Sequence, residues 1–205
     1  MSESFGKYDV YATSGSMYCY VGTNVLRNLF GIRNADELKR IEADITTIRQ
    51  HDLLSKPVTG RFTANHLCCI HRYLFGDIYP FAGRYRRESI AKGQTIFENP
   101  ADIEHKLKKL LIQLKEERFL KQTTAQDFLP RLAYYFTELN YLHPFREGNG
   151  RATREFVRQL LLVNGYAVDW SAVSVDELLL AMGASVFDTA PLIQILRKCV
   201  SRQSG

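Results

Sequence analysis

Residues 143–154 read His143-Pro144-Phe145-Arg146-Glu147-Gly148-Asn149-Gly150-Arg151-Ala152-Thr153-Arg154. This stretch joins two apolar-periodic segments and dictates how each must end. Pro144 cannot continue a helix, and it restricts His143 to an extended conformation at the end of the preceding one, outside any apolar stripe. Gly148, Asn149 and Gly150 fall just ahead of a second helix. Glycine there lets the backbone come close to a ligand, and the first N–H groups of a helix have no acceptor within it. Such a start is an anion site of the phosphate-binding kind. Arg151 and Arg154 stand three apart in the first turn and share a face. Positive side chains at a helix start oppose its dipole, so an anionic ligand is needed to offset them, and two guanidinium forks suit a polyphosphate. Glu147 is a lone carboxylate beside that cradle, the kind of ligand Mg²⁺ takes alongside phosphate and water oxygens. A histidine can accept a proton near neutral pH. A base, a metal carboxylate, a backbone nest and two arginines together fit transfer of a phosphate-linked group from a nucleotide.

Outward from this segment the chain reads as helices. Upstream, a helix from near Thr124 to Tyr141 carries Phe128, Leu132, Phe136, Leu139 and Leu142 on one face, with Pro130 marking its first turn. Downstream, Phe156, Val157, Leu160 and Leu161 give a helix that stops at Asn164-Gly165. Asn34 with Glu37 makes a capping-box-like pair ahead of Leu38, Ile41, Ile45 and Ile48. Thr63 caps a helix bearing Leu67, Ile70 and Leu74. Asn99-Pro100 reads as N-cap and first helical position before Ile103, Leu107, Leu110, Leu111 and Leu114. The opposite face there, Lys106, Lys108, Lys109 and Lys115, is a solvated one. Ser174 with Glu177 makes another capping box before Leu178–Met182, and Asp188 caps a last helix through Val200. Only residues 84–98 break the pattern. Arg84–Ile90 and Thr95–Phe97 flank Ala91-Lys92-Gly93-Gln94, a short β-hairpin that turns at Gly93. The expected architecture is all-α with one projecting hairpin. It forms a single domain over 1–205, with its core at about 18–200 and an irregular segment at 1–17 whose Tyr8 and Tyr11, like Tyr18, can pack onto it.

The totals are compatible with this. The chain has 205 residues, 45% hydrophobic and 24% charged, with a net charge of +5. A chain of this size buries roughly 70% of its unfolded surface and needs no disulfide or structural metal. The longest apolar run is too short to span a membrane. No basic-then-apolar leader opens the sequence. Of the four cysteines, Cys68 and Cys69 are adjacent and no CxxC occurs, so a reduced, cytoplasmic-type protein is expected. Cys68 and Cys69 are read as packing residues, and His66, His71 and His105 as structural or surface groups. Trp170 is read as sealing the core.

The 143–154 segment resembles the Fic family motif, HPFx[D/E]GNGRxxR, at all nine of its defined positions. The flanking helices, the hairpin and the Tyr18–Asn28 stretch are also similar to a Fic domain. The resemblance covers most of the chain. It implies an all-α fold around a central helix-loop-helix, and AMP transfer from ATP to a Tyr, Ser or Thr hydroxyl of a target protein with loss of pyrophosphate. On that resemblance His143 deprotonates the target hydroxyl and Glu147 holds Mg²⁺ between the α- and β-phosphates. Gly148, Asn149 and Gly150 cradle the phosphates, the Asn149 side chain adding a hydrogen bond, while Arg151 and Arg154 bind the β/γ end. Phe145 anchors the loop, and Asn140 lines the base pocket with nearby tyrosines. The hairpin resembles the family's flap, here Arg87, Ser89, Ile90, Ala91, Lys92 and Gly93, which lays a target segment over the nucleotide by strand addition. Arg84, Arg86 and Arg87 read equally as a charge-blunted edge and as a docking surface. The Doc branch, which transfers the γ-phosphate, has Lys where this chain has Gly150, and glycine there favours nucleotidyl transfer.

Many Fic proteins carry an inhibitory [S/T]xxxE[G/N] helix. Here only Glu98 and Glu147 precede Asn or Gly, and Gln94 and His143 stand four residues upstream of them, so that motif is missing from this sequence. The resemblance then leaves two sources of control: a small antitoxin-like partner placing a glutamate near Arg154 in trans, or delivery into another cell by a secretion system. Two other function classes stay open. One is different donor chemistry at the same site, removal of AMP included. The other is a non-enzymatic nucleic-acid module, which lacks the basic stripe or aromatic platform it would need.

Overall fold

The computed structural model describes residues 15–92 and 95–203. Among them are seven α-helices: α1 Ala35–Ser55, α2 Ala64–Phe75, α3 Ile103–Glu116, α4 Ala125–Leu142, α5 Asn149–Leu162, α6 Val175–Ala184 and α7 Ala190–Cys199. Most of the start signals operate as expected. The side chains of Asn34, Thr63 and Thr124 accept from the N–H of Glu37, His66 and Asp127, and Ser174 with Glu177 forms the reciprocal box.

The structure corrects four details. The third helix begins at Ile103, because Asn99 Oδ1 accepts from Ala101 N–H and spends residues 99–102 on a turn. Pro130 lies inside α4 and does not mark its first turn. The carbonyl it leaves without a donor belongs to the exposed Gln126, where water can serve. Asp188 accepts from Ala190 N–H, but the capping position itself is Thr189. Val200 leaves the helix to enter a second two-stranded ladder, β3 Tyr166–Val168 antiparallel to β4 Val200–Arg202, which no alternation of residues announced.

α5 is the centre of the molecule, packed against α2, α4 and β3. It is buried nearly all round, so its charges must find partners inside. Arg158 makes two 2.7 Å bonds to Glu155 and a third to the Leu53 carbonyl, and Gln159 donates to Glu155. The apolar layers of α2, α3 and α4 are the ones the periodicity marked: Leu67, Ile70, Leu107, Leu114 and Leu132 are fully excluded from solvent. α1 differs. Its buried stripe is Leu38, Glu42, Thr46 and Leu53, while Ile48 is exposed. The helix turns a carboxylate and a hydroxyl inward, and both are needed by α5.

The hairpin is shorter than expected. Only β1 Ala91–Lys92 and β2 Thr95–Ile96 pair, with Ala91 opposite Ile96. Gly93, the expected turn residue, lies outside the described residues, as do Tyr8 and Tyr11. The preceding stretch is not a strand, because Arg86 N–H bonds to the Pro144 carbonyl at 2.9 Å and its side chain is buried, not displayed at an edge. Tyr18 packs edge-on against Phe81 and its hydroxyl accepts from Arg87 N–H, which fastens the N-terminal segment beside the hairpin. Cys69 is exposed, contrary to its reading as a packing residue, whereas Cys68 is half-buried. Trp170 meets Phe136 edge to face at the core margin.

Candidate active site

A cleft of about 280 Å³ opens at the start of α5. His143, Glu147, Gly148, Asn149, Gly150, Arg151, Arg154 and Asn140 all line it, so the structure brings together the residues that the sequence nominated. Thr95 and Phe97 from the hairpin close one side.

His143 caps α4 in the left-handed conformation, φ 43° and ψ 59°, not the extended one expected before proline. Histidine is among the few residues that tolerate this region. The conformation lets its N–H reach the Leu139 carbonyl and brings Nδ1 to 3.0 Å from the Asn140 carbonyl. A carbonyl only accepts, so Nδ1 carries the hydrogen and Nε2 keeps the lone pair of the neutral ring. The imidazole lies flat on Phe97, with centroids 3.7 Å apart and planes at 15°.

The loop that follows is closed from inside. Asn149 Oδ1 accepts from Phe145 N–H and its Nδ2 donates to the Phe145 carbonyl, both at 2.8 Å. The Asn149 side chain thus shapes the loop. Phe145 is buried and stacks on His71 at 3.9 Å. His71 in turn joins two loops, with Nε2 2.8 Å from the Glu147 carbonyl and Nδ1 accepting from Gly83 N–H at 2.9 Å. Burial drives its imidazole down to about 3, with the nearby Arg151 charge acting in the same sense. Gly148 has φ 76°, and a Cβ there would lie 2.3 Å from the Phe75 ring. No other residue fits that turn.

Arg151 has protein partners of its own. Its Nη2 donates to Glu42 at 2.7 Å and its Nη1 to Thr46 at 3.2 Å, with the guanidinium 4.6 Å above the Phe75 ring. Tyr79 hydroxyl donates to the other oxygen of Glu42, which is fully buried. Arg151 therefore ties the cradle to α1 while still lining the cleft, and Arg154 lines it beside Gly150. Glu147 is buried at the cleft, its Oε1 accepting from Gly148 N–H at 2.9 Å and standing 3.6 Å from Arg151.

Three parts of the site escaped the sequence reading. One wall is apolar and comes from α6 and the turn after it, through Val175, Leu178, Leu179, Met182 and Val186. Its signal was the unbroken Leu178-Leu179-Leu180 run, too apolar for one face of a surface helix. The inward Glu42 and the buried Arg86 had no periodic signal at all. Of the expected flap residues, Arg87 and Ser89 are exposed, Ile90 is buried against Phe97, and Ala91 and Lys92 form β1.

A central buried helix entered through a histidine-capped, glycine-bracketed loop, with a small hairpin over the cleft, defines a Fic-type domain. The sequence matches the Fic/DOC family over residues 61–161. It is 38% identical over 186 residues to "Protein adenylyltransferase VbhT" of Bartonella schoenbuchensis, spanning 91% of this chain and 39% of that protein. It is 36% identical to "Probable protein adenylyltransferase Fic" of Salmonella typhimurium, spanning 98% and 97%. Among solved structures it resembles the VirB-translocated effector BepC of Bartonella tribocorum with bound AMPPNP, at TM-score 0.82 and 27% identity over 91% of this chain and 97% of that one. A second such neighbour, the N-terminal Fic domain of a Bartonella quintana effector with bound ADP, superimposes at TM-score 0.84 with 27% identity over 91% and 95% of the two chains. The chain belongs to the Fic/DOC family.

Proposed function

We propose that this protein is a protein adenylyltransferase, moving AMP from ATP to a Tyr, Ser or Thr hydroxyl of a target protein and releasing pyrophosphate. The observation that carries this is His143 beside the α5 cradle: an imidazole oriented by its Nδ1 bond to the Asn140 carbonyl, at one cleft with the Gly148–Gly150 backbone. The named activities of the relatives and the nucleotides in BepC and its Bartonella quintana counterpart support it.

In this reading His143 Nε2 takes the proton as the target oxygen bonds to the α-phosphorus, and the bond from that phosphorus to the bridging oxygen breaks. The N–H groups at the start of α5 and the Arg154 guanidinium bind the phosphates and stabilise charge on the leaving group. Arg151 acts through its hold on Glu42, keeping the cradle in place. The hairpin offers β1 and β2 backbone to a target segment, with Arg87, Ser89, Ile90, Ala91, Lys92 and Gly93 at the contact. Asn140 and the apolar α6 wall receive the base.

The donor set suits Mg²⁺. Glu147 gives one hard carboxylate at the cradle. Mg²⁺ takes one or two carboxylates, so phosphate and water oxygens would complete its shell. When bound, Mg²⁺ supplies charge neutralisation to the phosphates.

Control in trans, by a small partner placing a glutamate near Arg154, goes with this reading; mass measurement of the complex purified from its native operon tests it. Delivery into a second cell is supported by the VirB-translocated neighbours. No helix of the described residues is long and apolar enough to cross a membrane. The central test is incubation with cell extract and ATP labelled at the α- or the γ-phosphate. Label enters protein from α only, and His143→Ala, still folded, loses it. Transfer from γ alone refutes the assignment.

A further inference from the structure

We infer that Arg86 is a positioning residue that locks the catalytic imidazole to both stems of the hairpin. Its activity consequences rest on the adenylyl-transfer reading; its structural consequences do not.

Arg86 is 2% exposed. A buried guanidinium has five N–H donors fixed in one plane, all of which need acceptors. Here the acceptors come from three places. Nε donates to the His143 carbonyl at 2.8 Å, and Nη2 reaches the Leu142 carbonyl at 3.5 Å. Nη1 donates to the Glu88 carbonyl at 2.8 Å, in the stem that enters the hairpin. Nη2 also donates to the Glu98 carbonyl, in the stem that leaves it. The end of α4 and the two stems thus meet on one side chain.

The leaving stem then grips the imidazole itself. Phe97 sits one residue from Glu98 and stacks on His143, and its N–H bonds to the Ile90 carbonyl of the entering stem at 3.3 Å. Glu98 N–H bonds to the Tyr141 carbonyl on α4, and Arg86 N–H to the Pro144 carbonyl. The left-handed backbone at His143 is one that side chains rarely adopt, and it persists only where its surroundings over-determine it. Arg86 and Phe97 are those surroundings. They hold the carbonyl and the ring face of one residue from the very segment that is to receive a target strand. The base and the target platform therefore share one frame.

Lysine cannot substitute. Its three donors radiate from one atom on a flexible stem and cannot span three separate carbonyl groups. The test uses the full chain with amide hydrogen exchange, AMPPNP binding and steady-state kinetics. In the parent protein the Arg86, Phe97 and Glu98 amides exchange with protection factors within about tenfold of one another, opening as one unit. In Arg86→Lys those amides lose protection by about tenfold or more while α2 and α4 keep theirs. AMPPNP affinity and the KM for ATP stay within about threefold, because the α5 cradle is untouched, and kcat for transfer falls by about tenfold or more.

Three results overturn the inference: stem amides that open independently in the parent, a folded Arg86→Lys with parental kcat, or a loss of AMPPNP affinity matching the loss of kcat. Should Arg86→Lys not fold, the exchange pattern of the parent decides alone. A parent inactive with labelled ATP defeats the adenylyl-transfer reading and leaves the exchange test standing.

Discussion

Acidification should destabilise this protein in a window set by one buried ring. His71 is fully buried, with Nδ1 accepting from Gly83 N–H and Nε2 donating to the Glu147 carbonyl. Only the tautomer with hydrogen on Nε2 satisfies both. A second proton must sit on Nδ1 and point at the Gly83 N–H only 2.9 Å away, so protonation breaks that bond as well as burying charge. Burial is the first cause that holds the ring down to about 3, and the Arg151 charge adds to it against the Glu147 bond. In the unfolded chain a histidine takes up its proton near 6.5. The folded value is the lower one, so the contribution to stability is complete above about pH 6.5 and falls as the pH drops toward 3. From pH 7.5 to 4.5 the loss is about 3 kcal/mol, or about 6–12 °C in Tm for a chain this long.

Urea unfolding at several pH values, for the parent and for His71→Gln, isolates the effect. Other histidines are present in both proteins and cancel in the difference. The depressed carboxylates act lower. Burial would push Glu98 up, but Lys106 and the Asn99 N–H outweigh it and hold it below the usual range, so its contribution is lost only as pH falls through that lower value. The expected result is a parent whose stability falls by about 3 kcal/mol more than that of His71→Gln over pH 7.5 to 4.5. Parallel pH curves for the two proteins would refute the argument.

Two more outcomes follow from the packing around the cradle. Gly148→Ala forces a left-handed alanine and a Cβ 2.3 Å from Phe75, costing about 2–5 kcal/mol in urea unfolding, whereas Gly150→Ala meets only the far end of Arg154 at 3.3 Å and leaves stability within about 1 kcal/mol. Glu42→Gln leaves the Arg151 guanidinium buried without its 2.7 Å carboxylate and costs about 3–5 kcal/mol, which calorimetry checks; a loss under about 1 kcal/mol means that the pair is not structural.

What the sequence disclosed, it disclosed through local rules. Asn34, Thr63, Thr124 and Ser174 cap the helices they precede, because a cap depends on the next three residues and little else. The stripes of α2, α3 and α4 face inward because apolar burial has a period. Where a polar residue faces inward, periodicity misleads. On α1 the run Leu38, Ile41, Ile45, Ile48 drew the buried face about one position off, since Glu42 and Thr46 occupy it. Arg86, read equally as edge charge and as a docking residue, is buried instead. Its partners are main-chain carbonyls at residues 88, 98, 142 and 143, which have no sequence signature. The β3–β4 ladder joins segments more than thirty residues apart, each only three residues long, too short for alternation to show.

The orientation of Arg151 follows from helix geometry. Residues three apart on a helix differ by 300°, so Arg151 and Arg154 lie about 60° apart around α5. On a surface helix both would face the same ligand. α5 is enclosed, and about 60° is enough to bring one arginine of the cleft wall within reach of α1. There Glu42, Thr46 and the Phe75 face receive it. The first arginine thus fixes the helix start, and both arginines line the cleft. The unfavourable dipole term at Arg151 is offset by a buried carboxylate already in the chain, so the helix start does not depend on a ligand to tolerate that charge.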